Sequence, residues 1–422
     1  MKNRYTPTAG SVYLYFFLYG MAVIILSQNS AHLQEQWNCT EGNVLMALSG
    51  IGIGKIIGPS FAGFLSDKVG RRFMVLTSLA MYIVFLLGVV VSPSWQIGFA
   101  LAVWFGLANA VMDTGTYPTL MESFPKTAGS ANMLVKAAIA AGQFALPLII
   151  NALANSGAFW GIPFIGGAIV LAIIFLIMLK VPFPDYRALA AEQKAAIEAS
   201  AAASPESGAT GARIGLEGVA LVLFGFTATA MFWLAQNSMP AIGQHLAGMS
   251  EDGGRGLISW YSIGSFAGVF ITASLVARKF RPVTFLVVNP VAAAVAYLLM
   301  VLVQNATLYP VLAFVIGYFA AGGLFQLTVV VLAEFFPVRK GVVTSMIGLA
   351  SGLAAFVLPY LSGWLVDGAA SKADGYTNVV WVGLGVCVVS VLLGSFVLTR
   401  HRKVFVRTVA AADAERLATA SS

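Results

Sequence analysis

Twelve long apolar stretches alternate with short polar segments along the chain. A helix that crosses the hydrocarbon core of a bilayer needs about 20 predominantly apolar residues, and each stretch is long enough. We number these stretches spans 1 to 12; they lie near residues 12–33, 42–65, 72–92, 96–121, 128–151, 157–180, 216–240, 255–277, 282–304, 307–331, 341–364 and 378–399. The pattern predicts an all-α integral membrane protein.

The overall composition agrees with this pattern. Hydrophobic residues make up 59% of the 422 residues and charged residues 10%, and the mean hydropathy is +0.86. A soluble chain of this length has too little interior to bury that much apolar surface. Span 1 is too long for the apolar core of a cleaved signal peptide, and no small-residue cleavage site precedes span 2. We therefore expect span 1 to remain as a spanning helix.

The basic residues are distributed unevenly between the two sides of the predicted membrane. With both termini in the cytoplasm, 20 of the 24 lysines and arginines lie on cytoplasmic segments. Arg255 and Lys372 lie outside, and Lys55 and Lys136 lie within spans. The positive-inside rule thus predicts a multi-pass plasma (inner) membrane protein with both termini cytoplasmic. The net charge of +7 reflects this topology and contact with anionic membrane lipid, and gives no sign of nucleic-acid binding.

The chain repeats itself on either side of a polar central segment. Glu122-Ser-Phe-Pro125 precedes Pro147, and Glu334-Phe-Phe-Pro337 precedes Pro359, at a constant offset of 212 residues. Two similar six-helix bundles are typical of a transporter whose site lies between them. The predicted domains are a bundle at 1–180, a cytoplasmic linker with a possible surface helix at 181–215, a second bundle at 216–399 and a cytoplasmic tail at 400–422.

The loop between spans 2 and 3 carries a motif. It reads Gly63-Phe-Leu-Ser-Asp67-Lys-Val-Gly70-Arg71-Arg72, which closely resembles the G-x-L-a-D-r-x-G-r-[RK] signature of the major facilitator superfamily. The resemblance covers nearly the whole chain. It implies twelve transmembrane helices in two pseudo-symmetric six-helix bundles, and secondary active transport by alternating access.

The resemblance also implies which residues control opening at the cytoplasmic side. In the family, this motif ties the two halves together there while the outer side is open. The acid binds a facing helix N-terminus and a nearby arginine. We assign gating to the motif and to two acids at the cytoplasmic ends of spans 4 and 10: Gly63, Asp67, Gly70, Arg71, Arg72, Glu122 and Glu334.

Three charged residues lie near the bilayer midplane: Lys55 in span 2, Asp113 in span 4 and Lys136 in span 5. Each is about 15–18 Å from a cytoplasmic turn, counted at the helical rise. Charges at this depth are costly, which makes them functional candidates. We expect at least one lysine to contact substrate. Asp113 is either a proton carrier or the counterion of Lys136, with the counterion preferred; the alternative is a purely structural pair.

The corresponding positions of the second half carry no charge: Ser265, Phe325 and Gly348. We expect substrate contacts from neutral residues of that half and from amides that recur in spans 1 and 7: Gln28, Asn29, Trp233, Gln236, Asn237, Trp260, Tyr261, Tyr318 and Gln326. The recurring amides are equally consistent with a shared structural or gating role. We place His245 in an outer loop, without a helical partner.

These features predict a transporter of a small organic anion (a monocarboxylate, sugar acid or aromatic acid), coupled to protons by symport. Two lysines against one aspartate leave the cavity about one charge positive, which favours an anion. The alternatives are a neutral sugar/proton symporter, a drug or metabolite:proton antiporter and a transporter-like sensor. Because no nucleophile–base motif or metal cluster is apparent, we expect no enzymatic activity, no cofactor and no metal. We expect a monomer.

Overall fold

Helices form the scaffold of the chain. The computed structural model describes residues 4–184, 214–278, 280–336 and 340–420. Spans 1 to 6, the first half, contain helices Thr6–Ala22, Ile25–Gln28, Ser30–Trp37, Glu41–Ile57, Pro59–Val69, Arg71–Val91, Trp95–Ser123, Ala128–Asn155 and Ile162–Met178. Spans 7 to 12, the second half, contain helices Val219–Ala247, Glu251–Arg278, Pro282–Leu302, Tyr309–Ile316, Leu324–Phe335, Lys340–Asp367 and Lys372–Ala420.

The lengths of these helices are compatible with the twelve predicted spans. Among the described residues, nine helices are long and apolar enough to cross a membrane, and a bent pair in span 2 makes a tenth. Span 6 has a shorter apolar helix of 17 residues. Span 1 is divided into three consecutive helices. The prediction of an all-α membrane protein is confirmed.

Among the described residues, spans 1, 2 and 10 are interrupted, and the breaks in spans 2 and 10 have a local cause. Span 2 bends by 49° at Pro59, because proline cannot donate the backbone hydrogen bond that would continue the helix. Span 10 passes through a π-helical turn at Gly317–Ala321 and then Gly323, whose φ of +101° favours glycine. Span 1 is interrupted near Ile24 and Asn29. Broken helices in transporters often line the substrate path.

The helices alternate in direction, which gives the bundle two distinct faces. One face, which we call the basic face, carries Arg71, Lys180, Arg278 and Arg400. The other, which we call the opposite face, carries the turns between consecutive helices near Thr40, Ser250 and Gly368. Each half has its own apolar interior, and the two interiors join in one core.

Among the described residues, the halves meet most extensively where span 2 packs on span 11 and span 5 packs on span 8, and span 1 also contacts span 7. Gly52 allows the first contact to be close, because a Cβ there would lie 2.2 Å from the backbone nitrogen of Phe356. In the second contact, the Ser259 hydroxyl donates to the carbonyl oxygen of Phe144 at 3.0 Å. Gly54 faces span 4 within the first half. The glycines of span 2 therefore serve packing, both within one half and between the halves.

The structure describes the predicted tail but not the predicted surface helix of the linker. The proposed surface helix of the linker falls in 185–213, which lies outside the described residues. The helix of span 12 does not end near residue 399 but continues to Ala420. Residues 400–420 contain neither glycine nor proline and are rich in alanine, so their intrinsic preference favours continuing the helix.

Candidate substrate-binding site

A cavity of about 1060 Å³ lies between the two halves. Spans 1, 2, 4 and 5 form one wall, and spans 7, 8, 10 and 11 form the other. Its lining reaches from Tyr19 and Lys55 to Ser60 and Ser345, which lie nearer the basic face. The cavity therefore extends from mid-bundle towards the basic face.

All three midplane charges line this cavity. Asp113 attracts both Lys55 and Lys136, and the two lysines repel each other. In the described part of the chain, Asp113 makes no direct ion pair with either lysine. The carboxylate of Asp113 thus acts as a counterion for both ammonium groups and forms a direct ion pair with neither. This differs from the expectation that Asp113 pairs with Lys136 and leaves Lys55 alone.

Lys55 also contacts aromatic side chains from both halves. Its Nζ lies 3.5 Å from the Tyr19 hydroxyl and 5.3 Å from the centre of the Trp233 ring. A cation over a tryptophan face is stabilised by the ring quadrupole. These contacts hold the ammonium group of Lys55 at the junction of spans 1, 2 and 7.

The three neutral counterparts line the opposing wall. Ser265, Phe325 and Gly348 all border the cavity. The internal repeat therefore brings corresponding positions of the two halves to a shared space. At these corresponding positions, the first half presents charged side chains to the cavity and the second half presents neutral residues.

The structure divides the other predicted substrate contacts into two groups. Gln236, Tyr261 and Gln326 line the cavity. The remaining predicted contacts are absent from the described lining: Gln28, Asn29, Trp233, Asn237, Trp260 and Tyr318. Trp260 is 49% exposed on its helix, which places it on the outer surface. Tyr318 instead packs against the rings of Phe314 and Phe319.

Three of the four recurring amides are buried away from the cavity, whereas Gln236 borders it. The side chains of Asn29 and Asn237 each donate to a carbonyl oxygen one turn earlier in their own helix, at 2.8 Å and 3.0 Å. Gln28 is 2% exposed, and its backbone carbonyl accepts a hydrogen bond from Arg255 of the other half. For Gln28, Asn29 and Asn237, these positions support the structural alternative over direct substrate contact.

Several cavity residues were not predicted from the sequence: Phe16, Tyr19, Asn109, Tyr117 and Gln143. Asn109 and Tyr117 lie four residues before and after Asp113, so helical spacing alone puts them on the same face. Gln143 follows Lys136 by seven residues, which is two helical turns. Extending the pattern from each charge would have identified these three.

Glu41 joins the halves at the opposite face. It begins the span 2 helix and is 7% exposed. Its carboxylate accepts a hydrogen bond from the Tyr376 hydroxyl at 2.7 Å and pairs with Lys372 at 2.8 Å. His245 lies 3.5 Å from the same carboxylate and stacks on the Tyr376 ring. The expectation for His245 was wrong: it lies within helix Val219–Ala247 and contacts an acid of the other half.

Asp367 makes the reciprocal contact. This acid of the second half accepts hydrogen bonds from the Thr40 hydroxyl at 2.6 Å and the Gly42 backbone at 3.2 Å. Arg255 adds a third link, because its Nε donates to the Gln28 carbonyl at 3.1 Å. The opposite face is therefore closed by polar contacts in both directions.

The predicted gating residues lie at the basic face. Gly70 has a φ of +92°, which explains the glycine at this turn. Arg71 lies 3.6 Å from Glu122 and donates to the Ser66 hydroxyl at 2.5 Å. Arg72 donates to the Leu179 carbonyl. Each of these contacts lies within the first half. Gly63 is exposed.

The remaining two predicted gating residues are Glu334 and Asp67. Glu334 lies 3.0 Å from His401 of span 12 rather than beside a described lysine or arginine. The side chain of Asp67 lies outside the described residues, so its predicted role at the basic face stays a prediction.

Two helical halves around a shared cavity that contains three charged residues, closed at one face, are the arrangement of a membrane transport protein. The family model described as Major Facilitator Superfamily matches residues 12–319 and 221–420. The chain belongs to this superfamily and is a secondary transporter. It is 35% identical over 406 residues to the uncharacterized MFS-type transporter YfkL of Bacillus subtilis (strain 168), covering 96% of this chain and 98% of that protein.

Other comparisons agree with this family. The chain is 35% identical to the inner membrane transport protein YdiN of Escherichia coli (strain K12), over 94% of this chain and 90% of that one. Its fold is similar to the crystal structure of a D-xylose-proton symporter, with a TM-score of 0.73, 15% identity and coverage of 93% and 96%. The nucleoside transporter NupG gives a TM-score of 0.69 at 14% identity, with coverage of 94% and 99%. At these identities the structures establish the fold alone.

Proposed function

We propose that this transporter imports a small organic anion together with protons, by alternating access across the plasma (inner) membrane. The basic face is cytoplasmic in this proposal, in agreement with the positive-inside rule. The observation that carries the proposal is the cavity itself. It brings Lys55 and Lys136 together with Asp113 as its acid, among the described lining residues. An excess of about one positive charge at mid-bundle attracts an anion.

The conformation supports the direction of access. Polar contacts close the opposite face, and the cavity extends towards the basic face. With the basic face in the cytoplasm, this is an inward-facing arrangement. Outward opening then requires the contacts of Glu41 and Asp367 to break while the halves rock about the cavity.

Asp113 suits proton coupling because its single negative charge interacts with both lysines. In the empty cavity, its carboxylate serves as their shared counterion. A substrate carboxylate that approaches the lysines takes the place of Asp113 as their counterion. Protonation of Asp113 then removes the repulsion between its carboxylate and that of the substrate. By linkage, the proton and the anion each increase the affinity for the other. This reciprocal effect is what a symporter requires.

The anion proposal is tested by substitution of Lys55. We expect Lys55→Gln to weaken binding of an acidic substrate by roughly 1.5–3 kcal/mol, the range for hydrogen bonds to charged groups. Lys55→Arg is expected to be partly tolerated, because a planar guanidinium needs a different site shape. Calorimetric binding of matched acids and amides to purified protein measures both effects. The control is Lys180→Gln, which removes an exposed lysine at the basic face.

The neutral-sugar alternative predicts that an acid and its amide bind equally and that Lys55→Gln changes neither affinity. Gln236, Gln326 and Asn109 line the cavity and can bind hydroxyl groups. If wild-type protein bound an acid and its amide equally, and Lys55→Gln bound both as wild type does, the anion proposal would be refuted and a neutral substrate favoured.

The shared counterion role of Asp113 makes a separate prediction. Removing Asp113 alone should leave two lysines repelling each other, and removing Lys136 alone should leave Asp113 with one cation. We expect Asp113→Asn with Lys136→Gln to cost less stability than the sum of the single changes, with a coupling energy of about 1–3 kcal/mol. A second cycle with Lys55→Gln should show coupling of the same sign. Thermal unfolding in detergent measures both cycles. Simple additivity in both would contradict the shared counterion.

A further inference from the structure

The wall that faces the three charges has an open space at Gly348 and a phenylalanine ring, Phe325, that borders the cavity. Gly348 occupies the position that corresponds to Lys136. Among the described atoms, a Cβ at Gly348 would meet nothing within 4 Å. Phe325 occupies the position that corresponds to Asp113. It lines the cavity and packs half-buried against the apolar core, with no ring–ring contact in the described part of the chain. The part of its ring that borders the cavity is therefore open to a substrate ring.

The aromatic side chains of the second half extend this surface. The cavity lining includes Phe232, Tyr261, Phe266 and Phe325 from the second half. Phe266 packs on Phe270, with their ring centres 4.8 Å apart. The lysines and Asp113 all belong to the first half. The first-half wall thus carries the charges together with aromatic residues of its own, and the second-half wall, which we call the aromatic wall, has no charged residue in its described lining.

We propose that the substrate is an aromatic carboxylate, with its ring against Phe325 in the space beside Gly348 and its carboxylate at Lys55 and Lys136. This inference rests on the proposed anion transport and narrows its substrate class. A small aliphatic acid would leave the aromatic wall without a partner. A polyhydroxylated sugar acid would place hydroxyl groups against phenylalanine rings, where each lost hydrogen bond to water is costly. A flat ring gains from offset or edge-to-face contact with Phe325.

Binding of a matched series of probes tests the substrate class. The probes are benzoate, benzamide, cyclohexanecarboxylate, acetate and gluconate, measured by calorimetry on the purified full-length protein. We expect wild type to bind benzoate more tightly than cyclohexanecarboxylate, and both more tightly than acetate or gluconate. Phe325→Leu is expected to weaken benzoate binding about three- to tenfold, the range of aromatic pair energies. Acetate binding should stay unchanged in this variant.

A change at Gly348 tests where the ring lies. Gly348→Leu places a side chain in the open space without a backbone clash. It is expected to reduce benzoate affinity at least tenfold while acetate affinity remains. The matched control is Gly385→Leu, at an exposed helical glycine whose Cβ also meets nothing among the described atoms. This control should bind every probe as wild type does.

The outcomes separate this inference from the proposed function. Benzoate binding no tighter than gluconate, with both tighter than benzamide, would overturn the aromatic substrate and keep the anion. Equal binding of benzoate and benzamide would overturn the anion proposal itself. Wild-type benzoate affinity in both Phe325→Leu and Gly348→Leu would overturn the assigned ring position. Failure of all the carboxylates to bind would overturn both proposals.

Discussion

Replacing Gly52 with leucine is expected to impair transport strongly by forcing apart spans 2 and 11, which pack together between the halves. A Cβ at Gly52 would lie 2.2 Å from the backbone nitrogen of Phe356 and 2.6 Å from the carbonyl carbon of Ala355. No rotamer change can move these backbone atoms, so a leucine side chain cannot fit while spans 2 and 11 touch. Overpacking of this kind costs about 1–3 kcal/mol or more. That energy acts only while spans 2 and 11 are packed together, as they are when the opposite face is closed, so it shifts the population towards outward opening.

Distances across the opposite face measure this shift. Spin labels at Ser156 of the first half and Ala306 of the second half lie on exposed loops of that face. In a Cys39→Ser background, we expect longer label distances in Gly52→Leu than in wild type, with proteoliposome uptake at least about tenfold lower. Gly256→Leu is the control, because a Cβ there meets nothing within 4 Å among the described atoms. Wild-type distances and uptake in Gly52→Leu would contradict the role of this contact.

The local sequence pattern was sufficient to predict an all-α membrane protein and the three charged residues within its helices. Apolar run length predicts a spanning helix whatever it packs against. A charge within such a run is costly unless it faces a polar space, which is why Lys55, Asp113 and Lys136 were identifiable and all border the cavity. The internal repeat also located the neutral counterparts on the other wall.

The face of a helix that an aromatic residue occupies was harder to predict. Trp260 and Tyr261 are adjacent in sequence, yet Tyr261 is 1% exposed and borders the cavity while Trp260 is 49% exposed. In a membrane protein, lipid-facing and interior residues are both apolar. Hydrophobic pattern therefore does not distinguish the two sides of such a helix, and only the packing of neighbouring spans decides.

The contacts of the opposite face were beyond prediction from one sequence. Glu41 and Tyr376 are 335 residues apart and meet only when the two halves fold together. Taken singly, Glu41, His245 and Lys372 look like solvated residues near helix ends. Their shared function depends on how the two halves are arranged, and the spacing of residues in the local sequence does not indicate it.

The cluster around Glu41 leads to the second large prediction, which concerns what holds the opposite face closed. Glu41→Ala removes the acceptor for Tyr376, Lys372 and His245 at once. Hydrogen bonds to charged groups contribute about 1.5–3 kcal/mol, and these bonds form only when the halves meet at this face. We therefore expect the ratio of closed to open protein to fall roughly ten- to hundredfold, with longer distances between the Ser156 and Ala306 labels.

Two further variants show whether the acid acts between the halves. Glu41→Gln keeps a neutral acceptor of similar shape, so its distances should fall between those of wild type and Glu41→Ala. Asp374→Ala is the matched control, because Asp374 is an acid of the same face whose hydrogen bonds go to Ser371 within the second half. Its removal should leave the label distances unchanged. If Glu41→Ala and Asp374→Ala gave the same distances, Glu41 would be a surface acid without a gating role. A change confined to the Glu41 variants would instead identify the contact that must break before the cavity opens to the opposite face.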